Sequence, residues 1–121
     1  MARRPVGDPA PRRGDIWLAE LDKRRPVVVL TRDPMGRVLH SVLVGPVTST
    51  VRGLSTEVVL GPDDGVRTKS VVNVDNLQLL HRSRLVRRVG RAAGDTMSRI
   101  CAAVGTAIDC PTQAAQPFRT R

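Results

Sequence analysis

Short apolar runs separated by turn residues fill most of the 121-residue chain, and the pattern changes only near the end. Pro26-Val27-Val28-Val29-Leu30 is a β-branched run, the pattern of a strand buried on both faces. Before it, Asp15 to Leu21 follows Gly14 and carries apolar residues at mixed spacing, which also predicts a strand. Asp33-Pro34-Met35-Gly36 predicts a turn. Val38 to Val44 predicts a third strand ended by Gly45-Pro46. Glu57 to Leu60 predicts a fourth, stopped by Gly61-Pro62-Asp63-Asp64-Gly65, and Ser70 to Leu80 makes one or two more. Met97, Ile100, Cys101, Val104 and Ile108 then recur at i, i+3, i+4, i+7 and i+11, one face of an amphipathic helix. Gly94-Asp95 supplies its start and Asp109-Cys110-Pro111 its stop. The expected fold is a small, closed, mainly antiparallel β-domain with one C-terminal helix packed on it. Residues 1–11, rich in Pro and Arg, and 110–121, rich in Pro, Gln and Thr, read as flexible tails around a single domain, 12–109.

Charge adds a partner class. The net charge is +9. Leaving out Arg3, Arg4, Asp8, Arg119 and Arg121 in the tails, 16 basic and 10 acidic residues remain, so the excess belongs to the fold. A polyanion follows, either nucleic acid or an acidic protein. The aromatic content is 2%, Trp17 and Phe118 only, which excludes a base-stacking platform. Trp17, among apolar residues, reads as core. No apolar run reaches the roughly 18–20 residues that span a bilayer, and the basic N-terminus precedes no apolar segment. The expected location is the cytoplasm. A core this modest gains from dimerisation.

The usual catalytic groups are scarce. His40 alternates with apolar neighbours and reads as a packed or surface histidine, and His81 faces solvent or phosphate. Asp63-Asp64 is explained by turn chemistry better than by metal ligation, and no phosphate loop of the P-loop kind is present. Cys101, on the apolar helix face, and Cys110 have the spacing of neither a zinc knuckle nor a redox pair. Arginine is plentiful instead. Arg82, Arg84, Arg87, Arg88 and Arg91 lie within ten residues without an acid, a run that neutralises phosphates or is simply a solvated basic strand and turn. Lys23-Arg24-Arg25 stands directly before Pro26, and proline biases Arg25 towards extended backbone. An arginine at the mouth of a rigid strand offers a fixed fork to a phosphate. Pro46-Val47-Thr48-Ser49-Thr50 ends with three hydroxyls, which also satisfy local backbone groups at strand ends.

In order and spacing, Arg13-Gly14-Asp15-Ile16-Trp17, Leu21-Asp22, Arg25-Pro26-Val27-Val28-Val29 and Gly45-Pro46-Val47-Thr48-Ser49 resemble the MazF/PemK toxins. Ser70-Val71-Val72-Asn73-Val74-Asp75-Asn76-Leu77, then Val89-Gly90 and the final helix, extend the resemblance over about residues 12–109. It implies an SH3-like barrel of the CcdB/PemK kind and a homodimer. It also implies sequence-specific, metal-independent cleavage of single-stranded RNA, needing no cofactor, with a MazE-like antitoxin as partner. By resemblance the catalytic residues are Arg25 and Thr48, assisted by Ser49. Lys23, Arg24, Arg32, Thr50, Arg52, Asn76, Arg82, Arg84 and Arg87 are the expected RNA contacts. RNA brings its own nucleophile, the 2′-hydroxyl, so a charge stabiliser and hydrogen-bond donors at the phosphate suffice. The expected products are a 2′,3′-cyclic phosphate and a 5′-hydroxyl.

The connection from Leu21 to Pro26 is short where many relatives carry a long loop, which implies a more open groove able to admit a tRNA or rRNA loop as well as mRNA. Two other readings stand beside the nuclease. A non-catalytic poison resembling CcdB has no need of the Arg25–Thr48 pair, and a basic SH3-like module would bind nucleic acid without cutting it.

Overall fold

The structure, a computed structural model, describes residues 10–109. Among these the chain runs through β1 (Asp15–Glu20), β2 (Arg24–Val29), a one-turn helix α1 (Met35–Val38), β3 (Ser41–Thr48), β4 (Glu57–Leu60), β5 (Ser70–Asn73), β6 (Gln78–His81), β7 (Leu85–Arg91) and α2 (Gly94–Ala107). Short 3-10 turns occupy Pro62–Asp64, Val74–Asn76 and Arg82–Arg84. The strands pair antiparallel in the order β4-β5-β3-β2-β1-β7, and β6 pairs with β3 off this path. β3 therefore serves three neighbours, β2, β6 and β5. Its first half, Ser41 to Val44, lies against β6, and its end, Val47 and Thr48, pairs with Val72 and Val71 of β5. A strand shared in this way curls the sheet around itself, the route to a small barrel.

The core has two parts because β1 and β2 are buried on both faces. Ile16 and Val28 point to one side, with Leu60, Val72 and, from α2, Ile100 and Ala103. Trp17, Ala19, Val27 and Val29 point to the other, with Val42, Val44, Leu80 and Leu85. The Val27-Val28-Val29 run is thus fully enclosed, as its pattern predicts. Asp15 is buried beneath the edge of β1. It accepts hydrogen bonds from the Arg12 amide (2.9 Å) and Trp17 Nε1 (3.3 Å), and pairs with Arg91 Nη1 at 2.8 Å.

Three expectations need correction. Val38 is not in a strand: it closes the α1 turn, and β3 begins only at Ser41. The turn forms at Gly36 because Pro11 covers it, and the Pro11 carbonyl oxygen leaves no room there for a side-chain carbon. Pro11 itself, on the edge of the expected N-terminal tail, is buried. Second, Gly45-Pro46 does not end β3. A Cβ on Gly45 would meet Val72 Cγ1 at 2.8 Å, so glycine is what lets β3 pass close to β5, and the strand continues to Thr48. Third, the buried face of α2 is not the one its spacing suggests. Thr96, Ile100 and Ala103 are buried, with Met97, Val104 and Ala107 partly so, while Cys101 and Ile108 are exposed. The face is turned by roughly 60° towards the small residues, at 100° per residue, because alanines allow the helix to lie close on β4. Cys110 and the outer parts of both tails lie outside the described residues.

Candidate nucleic-acid cleft

The cleft opens where β3 leaves β2. The two strands pair at Val29↔Val44, Val28↔Gly45 and Val27↔Pro46, and there the ladder stops. The next hydrogen-bonded pair of this register would be Pro26 with Val47, and Pro26 has no N–H to donate. Beyond this point β2 stays with β1, through Ala19↔Arg25 and Glu20↔Arg24, and β3 turns to β5 through Thr48↔Val71. Extending the β2–β3 register by two residues sets Arg25 across from Thr48, one on each lip of the gap. The resulting open cleft has a volume of about 1220 Å³. One lip is Leu21 to Pro26 and the other is Pro46 to Thr50 with Arg52. The far wall is Ser70, Asn73, Asp75, Asn76, Leu77 and Gln78, and Arg84 stands at the edge. Lys23, Arg24, Arg25, Arg52 and Arg84 outnumber the two lining carboxylates, Asp22 and Asp75, so the cleft is cationic.

The lips are held by local bonds. Arg25 pairs with Asp22, Nε to Oδ1 at 3.2 Å and Nη2 to Oδ2 at 3.4 Å. This Arg25 hydrogen bond, with the Lys23 amide, holds the Asp22 carboxyl below its ordinary range. Arg24 Nε donates to Glu20 at 3.1 Å, and Arg84 Nη1 reaches the Glu20 carbonyl at 3.4 Å. On the opposite lip, Thr48 Oγ1 accepts from the Thr50 amide at 3.1 Å. The following loop is tied down by Glu57, whose carboxylate accepts from the amides of Arg52, Gly53 and Leu54. On the far wall Thr56 Oγ1 donates to Asp75 Oδ2, and the Asp75 amide donates to Asn73 Oδ1 at 3.0 Å.

Of the residues singled out in the sequence, the fold gathers Lys23, Arg24, Arg25, Thr48, Ser49, Thr50, Arg52, Asn76 and Arg84 into this one cleft. Arg32, Arg82 and Arg87 are not among its lining residues. Arg32 is exposed ahead of α1, where its carbonyl accepts from the Met35 amide. Arg82 Nη1 donates to the carbonyls of Gly36 (3.0 Å) and Arg37 (3.2 Å), which ties α1 to the turn after β6. Arg87 is exposed on β7, opposite Leu18 of β1. Asp22, Asn73, Asp75 and Gln78 also line the cleft, although the sequence does not mark them for it. The last three reach the cleft only through the pairing of β5 and β6 with β3, which no local pattern announces. Asp22 is visible in the short connection, but a carboxylate beside three cations reads there as a turn. His40 and His81, assigned no role, stack at the surface with ring centroids 6.2 Å apart.

The fold and cleft define a class of protein: a small β-barrel with an open cationic groove whose lips carry an arginine fork and a row of hydroxyls. Residues 12–108 match the family of PemK-like, MazF-like toxins of type II toxin-antitoxin systems, and the chain belongs to it. Among curated relatives it is 45% identical over 103 residues to the probable endoribonuclease MazF5 of Mycobacterium tuberculosis, covering 83% of this chain and 94% of that one. It is 40% identical to endoribonuclease MazF3 of the same species, covering 78% and 91%. The solved Mycobacterium tuberculosis toxin MazF-mt6 superposes with a TM-score of 0.76 at 40% identity, over 78% of this chain and 96% of that one. A mycobacterial endoribonuclease in complex with its cognate antitoxin superposes with a TM-score of 0.78 at 30% identity, over 84% and 98%.

Proposed function

We propose that this chain is a toxin endoribonuclease that cuts single-stranded RNA at short sequences, with Arg25 and Thr48 at the scissile phosphate. The observation that carries this reading is that the β2–β3 divergence puts these two residues on facing lips of one cationic cleft. The 2′-hydroxyl of the nucleotide before the cut attacks phosphorus. The P–O2′ bond forms as the 2′-hydroxyl gives up its proton to water, the P–O5′ bond breaks, and the leaving O5′ takes a proton from water. The products are a 2′,3′-cyclic phosphate and a 5′-hydroxyl. Arg25 supplies two parallel donors to the phosphate oxygens as charge builds on them. Arginine does not give up its proton in water, so its role is charge stabiliser rather than general base. Thr48 and Ser49 donate hydrogen bonds to the same phosphate, and Lys23, Arg24, Arg52 and Arg84 hold neighbouring phosphates. No step calls for a metal ion.

The short Leu21–Arg25 connection leaves the groove open on that side, which suits an RNA loop as well as an extended strand. The partners of this reading are a MazE-like antitoxin, in the way that the related mycobacterial endoribonuclease binds its own cognate antitoxin, and a second copy of the chain. Among the described residues no helix is long and apolar enough to cross a membrane, and a toxin that cuts cellular RNA works in the cytoplasm. The test is direct. RNA incubated with the pure protein in EDTA is cut, and mapped ends carry the cyclic phosphate and 5′-hydroxyl. A single deoxyribose immediately 5′ of the cut blocks cleavage; normal cutting of that substrate overturns the mechanism.

A further inference from the structure

In the free protein the fork of Arg25 is already occupied. The Asp22 carboxylate lies along its edge with one oxygen on Nε and the other on Nη2, at 3.2 and 3.4 Å. Two acceptor oxygens on two guanidinium donors is the arrangement in which arginine takes a phosphate. Burial does not impose the contact: the Asp22 side chain is 72% exposed and that of Arg25 31%. The turn that carries Asp22 is closed by Leu21 N–H donating to the Lys23 carbonyl at 3.1 Å, just ahead of Arg25, so the carboxylate is delivered by local geometry. The preceding residue repeats the device, with Arg24 paired to Glu20. Lys23, Arg52 and Arg84 make no carboxylate ion pair among the described residues.

We infer that Asp22 is a resident substitute for the substrate phosphate, holding the Arg25 fork in the cleft until a phosphodiester displaces it. This rests on the reading of the cleft as a phosphodiester site and adds a competitor to it. A single anion exchanges one partner of Arg25 for another and gains little. A nucleic acid strand also engages Lys23, Arg52 and Arg84, and those contacts drive Asp22 out. The pair thereby biases the cleft against lone phosphates and towards longer chains.

The test is a double-mutant cycle on the full chain, read by affinity for a fluorescein-labelled DNA 12-mer, which lacks the 2′-hydroxyl and is not cut. Asp22→Asn tightens binding about two- to fivefold at fixed ionic strength, the equivalent of an exposed ion pair. In an Arg25→Ala background the same change gives a clearly smaller gain, because only the loss of one negative charge remains. In RNA cleavage the Asp22→Asn effect falls on KM. Unchanged or weaker binding by Asp22→Asn, or an equal gain in both backgrounds, overturns the inference. If wild-type protein leaves RNA intact while the coupling persists, the competitor stands and the nuclease reading fails.

Discussion

At the level of single residues, the cleft turns on how two ordinary side chains are used. Thr48 makes the bland bond expected of a hydroxyl at a strand end, accepting from the Thr50 amide. That bond takes a lone pair and leaves the hydroxyl proton to point at a ligand. The two explanations for this threonine are therefore compatible. Thr48→Val, which keeps the shape and loses the donor, is expected to lower kcat/KM by about 10- to 100-fold, less than an oxyanion donor's full share. Arg25→Ala is expected to cost about 10²- to 10³-fold with folding intact, measured as RNA cleavage beside circular dichroism. Arg25→Lys restores charge but not the two-pronged geometry and should recover little of the loss. Wild-type cleavage by either Arg25 variant would remove Arg25 from the mechanism.

At the level of elements, the start of α2 illustrates a contact invisible to local reading. The helix has no side-chain cap of its own, since its N-cap is Ala93. Asp64, from the 3-10 turn after β4, takes that role, with Oδ1 accepting from the Ala93 amide at 2.8 Å and Oδ2 from the Gly61 amide at 3.0 Å. Burial pushes this carboxyl up, but the Ala93 and Gly61 amides, Thr96 and Arg99 together hold it below its ordinary value of 3.8. A lowered native pKa means the ionised form stabilises the fold above the unfolded-state value, and the gain is lost as pH falls through the lower, native one. Acid unfolding followed by circular dichroism should therefore show α2 stability failing below the ordinary carboxylate range, and Asp64→Asn should flatten that dependence. Asp64→Ala is expected to cost about 2 kcal/mol in urea denaturation, since it removes the acceptor of the Ala93 amide at the start of α2 and of the Gly61 amide at the start of the 3-10 turn. The spacing of apolar residues revealed that α2 exists. It did not reveal the cap or the rotation of the buried face, because both depend on the β4 side of the sheet.

At the level of the whole molecule, the basic excess divides into separate jobs. The five arginines from 82 to 91 are not one phosphate track. Arg88 and Arg91 lie at 3.7 and 2.8 Å from buried Asp15, Arg82 binds carbonyls, and Arg84 reaches the cleft. This division is testable through salt. Arg52→Ala should reduce the slope of log affinity against log salt by about 0.7 for single-stranded nucleic acid, the share of a single neutralised phosphate. Arg82→Ala should leave the slope unchanged and lower stability instead. Asp15→Ala removes the buried acceptor of the Arg12 amide and Trp17 Nε1 as well as the anion facing Arg91, and is expected to destabilise the fold by about 1–3 kcal/mol, seen as a lower urea midpoint. A weaker salt dependence in Arg82→Ala would restore that arginine to the RNA surface.

Strand-forming runs, the terminal helix and the cationic lip were determined by the sequence alone, because β-branched runs, helical periodicity and proline act over a few residues. The Arg25–Pro26 and Pro46–Thr48 stretches were likewise readable as two ordered segments. Only the tertiary structure decided that they face each other. That outcome depends on β3 leaving β2 and pairing with β5, with Gly45 permitting the close approach and Pro26 ending the β2–β3 ladder. The same partner exchange brought Asn73 and Asp75 into the cleft, while the sheet edge drew Arg88 and Arg91 to Asp15. Long-range pairing sets these contacts, and no local pattern encodes it.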